Sequence, residues 1–272
     1  MKNDKWEKLT GNLKKMKEAV LAFSGGADSS LLLRACLEAG VKVLAVTFRS
    51  ELSFPQEIED AAKLAASWGV RHVILPGAGL EKPYFKENPP QRCYFCKKDM
   101  YETLVDLAHA EGLGWVIDGT NAGDTADYRP GIRAARELGV RSPLVEAAIN
   151  KEDVYALSRW LDLPTSHKPS NTCLATRFPY GVAVTKEGLG AVMRAEDFLK
   201  KMGIEQVRVR HYGDLARLEV APSDFARVLA GASEIVGELK NAGYKYITLD
   251  LEGYRTGSMN AVLGGGSVAG GG

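Results

Sequence analysis

The sequence predicts an α/β fold, a doubly wound parallel sheet with a small C-terminal α+β domain. Short apolar, β-branched runs alternate with stretches of helical periodicity through the first half of the chain, as strands and helices do in a parallel sheet covered on both faces. A glycine turn joins the first apolar run to the first helical stretch. After Pro179-Tyr180-Gly181 the order becomes helix, two strands, helix and strand, which indicates a separate and smaller domain.

The predicted elements follow this alternation. Strands of the large sheet are expected at 19–23, 41–48, 70–75, 114–118 and, as a short fifth strand, 142–145. The helices between them are expected at 28–39, 56–68, 95–111 and 132–138. The small domain is expected to hold helices at 185–201 and 223–241 and strands at 206–210, 215–220 and 245–249. The domains are therefore placed at 1–180 and 181–262, followed by a flexible glycine-rich tail at 263–272.

The composition excludes several classes of protein. The chain has 272 residues, and its 35 basic and 34 acidic residues leave a formal net charge of +1, so no overall field marks a binder of nucleic acid. No apolar run approaches the roughly 18 residues of a membrane span, and the N-terminus lacks the apolar core of a signal peptide. We expect a cytoplasmic protein that binds neither membrane nor nucleic acid. Its four cysteines are then expected to be thiols or metal ligands rather than disulfides.

The turn after the first predicted strand is the strongest functional motif, Ser24-Gly25-Gly26-Ala27-Asp28-Ser29-Ser30. Two glycines let the backbone turn tightly and approach a ligand, and the serine hydroxyls and first N–H groups of the next helix can donate to an anion. The motif therefore predicts a phosphate site, with an ordinary glycine turn as the alternative. It differs from the Walker loop because no Gly-Lys-Ser/Thr follows, so we expect no lysine to reach the terminal phosphates of a nucleotide.

Polar residues follow two other predicted strands at the same edge of the sheet. Gly119, Thr120 and Asp124 close the strand that ends at Asp118 and could hold a ribose, phosphates or Mg²⁺. An Asx-rich turn is the alternative. Phe48 ends the second strand and is a candidate to flank adenine.

Three cysteines form the second strong signal. Cys93 and Cys96 are separated by two residues, a spacing that can place both sulfurs on one metal, with a redox pair or buried thiols as alternatives. Cys173 lies in a polar, proline-containing segment unlike a core helix. Cys36 lies among leucines of the first predicted helix, and we expect it to be a core residue.

Several arginines are candidates to bind an anionic substrate. Arg129 follows the fourth strand. Arg208 and Arg210 are spaced by two in a predicted strand, so they share one face and could clamp a phosphate or carboxylate. A solvated edge strand is the alternative. Glu196 and Asp197 of the preceding helix, and Glu219 of the next strand, are candidate partners for these arginines.

Taken together, the motifs resemble the ATP-dependent sulfurtransferases of nickel-pincer nucleotide biosynthesis, Rossmann-like PP-loop ATP pyrophosphatases that supply the cofactor of lactate racemase. The resemblance covers nearly the whole chain before the glycine tail. It rests on the segments 24–29, 92–97, 119–121, 127–131, 168–173 and 249–260. It implies that ATP adenylates each ring carboxylate of pyridinium-3,5-biscarboxylic acid mononucleotide, releasing pyrophosphate, and that a thiocarboxylate then replaces it with release of AMP.

The resemblance also implies roles for individual residues. The ATP site would be formed, with Mg²⁺ near Asp28 or Asp124, by Ser24, Gly25, Gly26, Asp28, Ser29, Ser30, Phe48, Gly119, Thr120 and Asp124. Asp28 and Cys173 would be catalytic. The substrate would be bound by Arg129, Arg177, Glu196, Arg208 and Arg210.

The family has two kinds of member, which differ in their source of sulfur. In one, a lone cysteine matching Cys173 gives up its own sulfur. In the other, cysteines matching Cys93, Cys96 and Cys173 hold a 4Fe-4S cluster that binds external sulfide. Since all three are present, we expect the cluster-dependent kind, a homo-oligomer served by a sulfide source. The alternatives are sacrifice of the Cys173 sulfur, a tRNA 2-thiolation enzyme, an amidating synthetase, and a sensor that binds ATP or AMP without catalysis.

Overall fold

The computed structural model describes residues 2–126, 130–168, 172–255 and 257–263. The chain divides into two compact units, Met1–Gly79 with Pro90–Asn171 and Leu80–Pro89 with Thr172–Gly272. The domain boundary expected at residue 180 stays a prediction. No helix in the described ranges is long and apolar enough to cross a membrane.

Helices and strands alternate through most of the chain. In chain order the elements are α1 (Lys2–Leu13), β1 (Glu18–Ala22), α2 (Ala27–Glu38), β2 (Lys42–Arg49), α3 (Pro55–Ser67), β3 (Arg71–Pro76), α4 (Pro83–Lys86), α5 (Arg92–Glu111), β4 (Val116–Asp118), α6 (Pro130–Glu137), α7 (Pro143–Glu146), α8 (Lys151–Trp160), α9 (Lys186–Lys201), β5 (Val207–Tyr212), β6 (Leu215–Val220), α10 (Phe225–Ala230), α11 (Ala232–Asn241) and β7 (Tyr246–Leu249). Short 3₁₀ turns lie at Ala122–Ala126, Leu174–Arg177, Pro222–Asp224 and Ser258–Leu263.

The first unit is built on a parallel sheet with the strand order β3-β2-β1-β4. Successive side chains of β1 point to opposite faces, so Leu21 packs with Leu31 of α2 in one core and Val20 packs with Leu104 of α5 in another. Because both faces of the sheet are covered, the predicted doubly wound α/β class is confirmed.

The strand order fixes where a ligand can approach. The chain leaves β1 toward β2 on one side and returns to β4 on the other, which makes the gap between β1 and β4 the switch point of the sheet. Ala22 lies beside Asp118 in the β1–β4 pairing. The loop after β1 and the loop after β4 therefore begin at the same edge of the sheet, side by side.

The structure differs from the predicted elements in two places within this unit. The strand expected at 142–145 is wrong, because Pro143 begins the short helix α7 and only Arg141 forms an isolated bridge, to Ile117. Proline is favoured at a first helical position and lacks the N–H that a central strand would donate. Helix α5 begins at Arg92 rather than at 95, so its first turn includes the cysteine motif.

The second unit is a small α+β structure with the strand order β5-β6-β7, antiparallel between β5 and β6 and parallel between β6 and β7. Its core joins the sheet to helices α9, α10 and α11, as Val209, Leu199, Val228 and Leu239 show. The single helix expected at 223–241 is wrong, because α10 ends at Ala230 and α11 begins after Gly231. Glycine has a low helix propensity, so the helix is readily interrupted at Gly231.

Asp118 at the end of β4 is a buried hydrogen-bond acceptor that ties four groups together. It accepts from the Tyr101 hydroxyl at 2.6 Å, the Ser142 hydroxyl at 2.7 Å, and both the hydroxyl and the N–H of Thr120. Burial, followed by the Asp118 charge, holds the pKa of Tyr101 well above its usual value. This carboxylate therefore fixes the end of β4 and the loop that follows.

We expect Asp118→Ala to lower the free energy of unfolding by about 3 kcal/mol, because it leaves buried donors without their charged acceptor. Urea denaturation measures the change. The control is Asp106→Ala, since Asp106 is exposed on α5 and its loss should change stability by no more than about 0.5 kcal/mol. Equal stability of the two variants would contradict this account of Asp118.

Candidate active site

Hydrogen bonds between its own serine and glycine residues hold the glycine loop between β1 and α2 together. The Ser24 and Ser29 hydroxyls lie 3.1 Å apart, and Ser29 also donates to the Gly26 carbonyl. Gly26 is the N-cap of α2 and supplies no side-chain acceptor, so the first N–H groups of the helix point toward a potential anion. The Ser30 hydroxyl is buried and makes no hydrogen bond to the described residues.

Two glycines allow the loop to pack closely against its neighbours. Gly25 has φ +67°, and a Cβ on it would lie 2.8 Å from Cβ and 2.9 Å from Cα of Ala61 on α3. A Cβ on Gly119 would lie 3.0 Å from the Ser29 nitrogen. The loop is thus held between α3 and the chain that leaves β4.

Asp28, at the start of α2, belongs to a polar network at the switch point. Its Oδ1 accepts from Asn121 Nδ2 at 3.0 Å, and its Oδ2 accepts from Lys151 Nζ. The same Asn121 nitrogen donates to Asp124 Oδ2 at 3.0 Å. The two carboxylates proposed to lie near Mg²⁺ are therefore bridged by one buried amide, and oxygen ligands of this kind suit Mg²⁺.

Sequence reasoning missed three residues of this network. Asn121 lay inside a recognised motif without an assigned role. No lysine lies within the loop itself, but Lys151 contacts Asp28, and Lys168 Nζ lies 3.4 Å from the Gly25 carbonyl. Both lysines are far from the loop in sequence, and only the fold brings them there.

The remaining predicted ATP-site residues lie around the same edge of the sheet. The Thr120 hydroxyl donates to Asp118 at 2.7 Å, which leaves its oxygen lone pairs as acceptors. Phe48 is half-buried near the end of β2 and packs against the core. Their predicted contacts with a nucleotide stay predictions.

The cysteines occupy three different environments. Cys93 and Cys96 lie in the first turn of α5, three residues apart and so on one face; Cys93 is exposed and Cys96 half-buried. Cys173 is exposed and precedes a 3₁₀ turn of the second unit. Cys36 is buried in the core, as expected, and burial raises its pKa to about 12.

The three cysteines have the ligand chemistry of an iron–sulfur cluster. Thiolates are the usual ligands of iron–sulfur clusters, and each of the three thiols has some access to solvent. In the ranges that the structure describes, no three His, Cys, Asp or Glu side chains are grouped as a metal site. The 4Fe-4S cluster therefore stays a prediction.

Arg177 and Glu196 form a buried ion pair that holds the Cys173 segment. Two guanidinium nitrogens donate to the two oxygens of Glu196 at 2.8 and 2.9 Å, and neither side chain has exposed surface. The third nitrogen donates to the carbonyls of Thr172 and Cys173. Glu196 also accepts from the N–H of Val209 at the edge of the small sheet. These contacts favour a positioning role for the pair over direct contact with substrate.

Arg208 and Arg210 are not on a solvated face. Strand β5 is an edge strand, yet both arginines are buried, so that alternative is wrong. Arg208 lies over the Tyr254 ring at 5.3 Å, and burial lowers its pKa. Asp197 pairs with Lys201 of its own helix. Arg129 lies outside the described residues.

A pocket of about 390 Å³ with both polar and apolar lining opens in the second unit. Arg210, Arg217 and Arg255 line it, and the Nε group of each is buried without a hydrogen bond to the described residues. Glu219 accepts from Arg210 at 2.7 Å and from Arg217 at 2.8 Å, so the predicted pairing of Arg210 with Glu219 is confirmed. The three arginines form ion pairs with Glu219, Asp250 and Glu252, so an anionic ligand here would compete with these carboxylates.

Comparison with known proteins finds relatives that match most of this chain. The family described as "Queuosine biosynthesis protein QueC" matches residues 18–82, the segment that contains the glycine loop. An uncharacterized protein of Synechocystis sp. is 42% identical over 97% of this chain and 99% of its own length. The pyridinium-3,5-bisthiocarboxylic acid mononucleotide synthase of Lactiplantibacillus plantarum is 37% identical over 94% of this chain and 93% of its own. A tRNA-specific 2-thiouridylase of Bacteroides fragilis is 30% identical over 39% of this chain.

The glycine and serine loop lies at the start of α2, at the switch point of a parallel sheet, and contains no Walker lysine. These features, with the family match, define a PP-loop enzyme that uses ATP. With 37% identity over nearly its whole length, the chain belongs to the family of the pyridinium-3,5-bisthiocarboxylic acid mononucleotide synthase, the ATP-dependent sulfurtransferases of nickel-pincer nucleotide biosynthesis. It is an enzyme that transfers sulfur.

We expect Gly25→Ala to weaken ATP binding at least about tenfold, because the new methyl group would displace the loop or α3. The matched control is Gly40→Ala. Gly40 has a similar φ of +71° but no atom within 4 Å of its Cβ position, so both variants carry the backbone strain and only Gly25→Ala carries the clash. Calorimetric titration with ATP separates them, and an unchanged affinity in Gly25→Ala would count against the clash.

We expect Glu196→Gln to speed amide hydrogen exchange in residues 172–177 and to lower the urea midpoint, because it leaves the buried Arg177 charge uncompensated at a cost of about 3–5 kcal/mol. Asp197→Asn is the control, since it removes an exposed carboxylate from the same helix and surface pairs contribute no more than about 1 kcal/mol. If exchange is equally slow in both variants, the pair does not hold the segment.

Proposed function

We propose that the protein converts pyridinium-3,5-biscarboxylic acid mononucleotide into its bisthiocarboxylic acid form, in the maturation of lactate racemase. The observation that carries the proposal is the near full-length match to a relative whose name states the bisthiocarboxylic acid product. The glycine loop supplies a second line of support, since it belongs to enzymes that use ATP. The protein is proposed to act in the cytoplasm as a homo-oligomer.

ATP is proposed to lie across the carboxyl ends of the strands. The loop Ser24–Ser30 would hold its phosphates through N–H groups and hydroxyls. Phe48, Gly119 and Thr120 would contact the nucleoside, and Asp28 or Asp124 would bind the Mg²⁺ that accompanies ATP. The support is positional, because these residues follow adjacent strands at one edge of the sheet.

The first chemical step is proposed to be adenylation. A ring carboxylate oxygen bonds to the α-phosphorus of ATP, the bond from that phosphorus to the bridging oxygen breaks, and pyrophosphate leaves with the electron pair. Donors of the loop stabilise the charge that develops on pyrophosphate. The product is an acyl adenylate. Its acyl carbon can expel AMP, whereas the acyl carbon of the free carboxylate would have to expel oxide, a poor leaving group.

The second step is sulfur transfer to the acyl adenylate. A sulfide sulfur bonds to the acyl carbon, the bond from that carbon to the AMP oxygen breaks, and AMP leaves with the electron pair. Cys93, Cys96 and Cys173 are proposed to hold a 4Fe-4S cluster, which would supply a bound external sulfide at its open iron. The alternative source is the Cys173 sulfur itself. The exposure of Cys173 is compatible with both sources.

The arginines of the second unit are proposed to hold the anionic substrate. Arg210 lines the pocket directly and has a buried Nε group without a hydrogen bond to the described residues. Arg208 and Arg129 are proposed to assist in binding the substrate phosphate. Arg177 and Glu196, which have each other as partners, are proposed to act by placing Cys173.

The test uses anaerobically prepared protein with the biscarboxylic acid mononucleotide, Mg²⁺, ATP and sulfide. We expect pyrophosphate and AMP to form only with the substrate present, in equal amounts, together with the mono- and bisthiocarboxylic acid products by mass spectrometry. Bulk tRNA replaces the substrate in a parallel reaction. Pyrophosphate release and 2-thiouridine formation with tRNA alone would overturn the proposal in favour of a tRNA 2-thiolation enzyme.

Iron and acid-labile sulfide content, with the intact mass of the protein after turnover, separate the two sulfur sources. We expect iron and sulfide in proportion to one cluster per chain and an unchanged protein mass. Cys36→Ser is a control that leaves both contents unchanged, since Cys36 is buried in the core. Loss of one H₂S mass from Cys173 in the cluster-loaded protein would reject the cluster as the source of sulfur and establish sacrifice of the Cys173 sulfur.

A further inference from the structure

The phosphate loop has to stabilise a strongly anionic leaving group without a cation of its own. Residues Ser24–Ser30 contain no lysine or arginine, and their one charged side chain is the carboxylate of Asp28. Departing pyrophosphate gains negative charge as the bond to the α-phosphorus breaks, and fixed positive charge near it accelerates that step. Beside the Mg²⁺ proposed above, a cationic side chain at this place has to come from another part of the chain.

Lys151 is one such cation. Its Nζ donates to Asp28 Oδ2, and the two side chains are 30% and 25% exposed, so the pair is partly open to solvent. An ammonium has three N–H donors. Asp28 occupies one of them, so the group can donate to a phosphate oxygen while it stays beside the loop.

The position of Lys151 is locally unfavourable for a cation. It is the first residue of α8, after the N-cap Asn150, whose side chain accepts from the Asp153 N–H at 2.9 Å in a capping box. The N-terminus of a helix carries partial positive charge and favours acidic residues, which follow here as Glu152 and Asp153. A lysine at this point is therefore better explained by the anionic site that it faces than by helix stability.

Lys168 is the second cation at the loop. Its Nζ lies 3.4 Å from the Gly25 carbonyl oxygen and 3.4 Å from Asp60 Oδ2, and its side chain is 22% exposed. A hydrogen bond from Gln56, partly opposed by burial and aided by the Lys168 charge, lowers the pKa of Asp60. Both contacts of Lys168 are long, so a bound phosphate could replace them as the partner of the ammonium group.

Tyr155 connects the two lysines. The Lys151 ammonium lies over its ring, 5.0 Å from the centroid, and its hydroxyl donates to the Lys168 carbonyl at 3.4 Å. Tyr155 lies on α8, one turn after Lys151. Tyr155 thus contacts the Lys151 ammonium and the main chain of Lys168.

We propose that Lys151 and Lys168 bind the pyrophosphate of ATP and stabilise it as it leaves, in place of the lysine that a Walker loop carries within its own sequence. The inference rests on the ATP-splitting step of the proposed function. It does not depend on which carboxylate is adenylated. Lys151 acts from the side of Asp28 and Lys168 from the side of Gly25, so the two ammonium groups contribute separately.

The test measures binding of inorganic pyrophosphate and of AMP, each with Mg²⁺, by calorimetric titration. We expect Lys151→Gln and Lys168→Gln each to raise the pyrophosphate dissociation constant about tenfold, with AMP affinity unchanged. Lys151→Arg should keep most of the pyrophosphate affinity, because it keeps the charge at that place. Normal AMP affinity also shows that a variant is folded.

The matched control is Lys5→Gln. Lys5 forms an ion pair with Asp153, in the same turn of α8 as Lys151, and its side chain is 38% exposed. This ion pair does not involve the phosphate loop. Its loss should leave pyrophosphate affinity unchanged. Unchanged affinity in both Lys151→Gln and Lys168→Gln would overturn the proposal, and so would equal weakening in Lys5→Gln. A pyrophosphate result as expected, with no thiocarboxylate product from the mononucleotide, would reject the proposed substrate and leave this inference standing.

Discussion

The candidate site depends on two close contacts made at glycines. Gly25 meets Ala61 of α3, and Gly119 meets the Ser29 nitrogen at the start of α2. Because β1 and β4 are paired in register at Ala22 and Asp118, both loops leave the sheet at one level. The glycines let them touch, so the donors of the loop are oriented before any ligand arrives, and less ordering has to be paid for on binding.

Much of the fold could be predicted from the sequence because its signals are local. The apolar runs and the glycine loop gave the order of strands and helices, and Cys36 among leucines was recognisable as a core residue. The strand expected at 142–145 was wrong because Pro143 begins a short helix and lacks the N–H that a central strand donates. The break at Gly231 was missed because helical periodicity continues across it.

The composition of the site was less predictable, since it depends on contacts between distant segments. The loop, Gly119 and Asp124 were recognisable from residue type. Lys151 is 123 residues from Asp28 in sequence, and no local sequence pattern at either residue predicts the contact. The roles of Arg177 and Glu196 depend on packing between a 3₁₀ turn and α9, and an arginine or glutamate alone does not reveal whether it is buried.

Buried Arg177 contacts main-chain atoms of the Cys173 segment, so the position of the segment does not depend on the chemistry of the cysteine side chain. Arg177 grips the carbonyl oxygens of Thr172 and Cys173, and these atoms are the same whatever becomes of the sulfur. A thiol, a thiolate bound to a metal and a residue that has lost its sulfur would all be held by the same backbone contacts. The backbone support of residue 173 is therefore independent of the chemistry of its side chain.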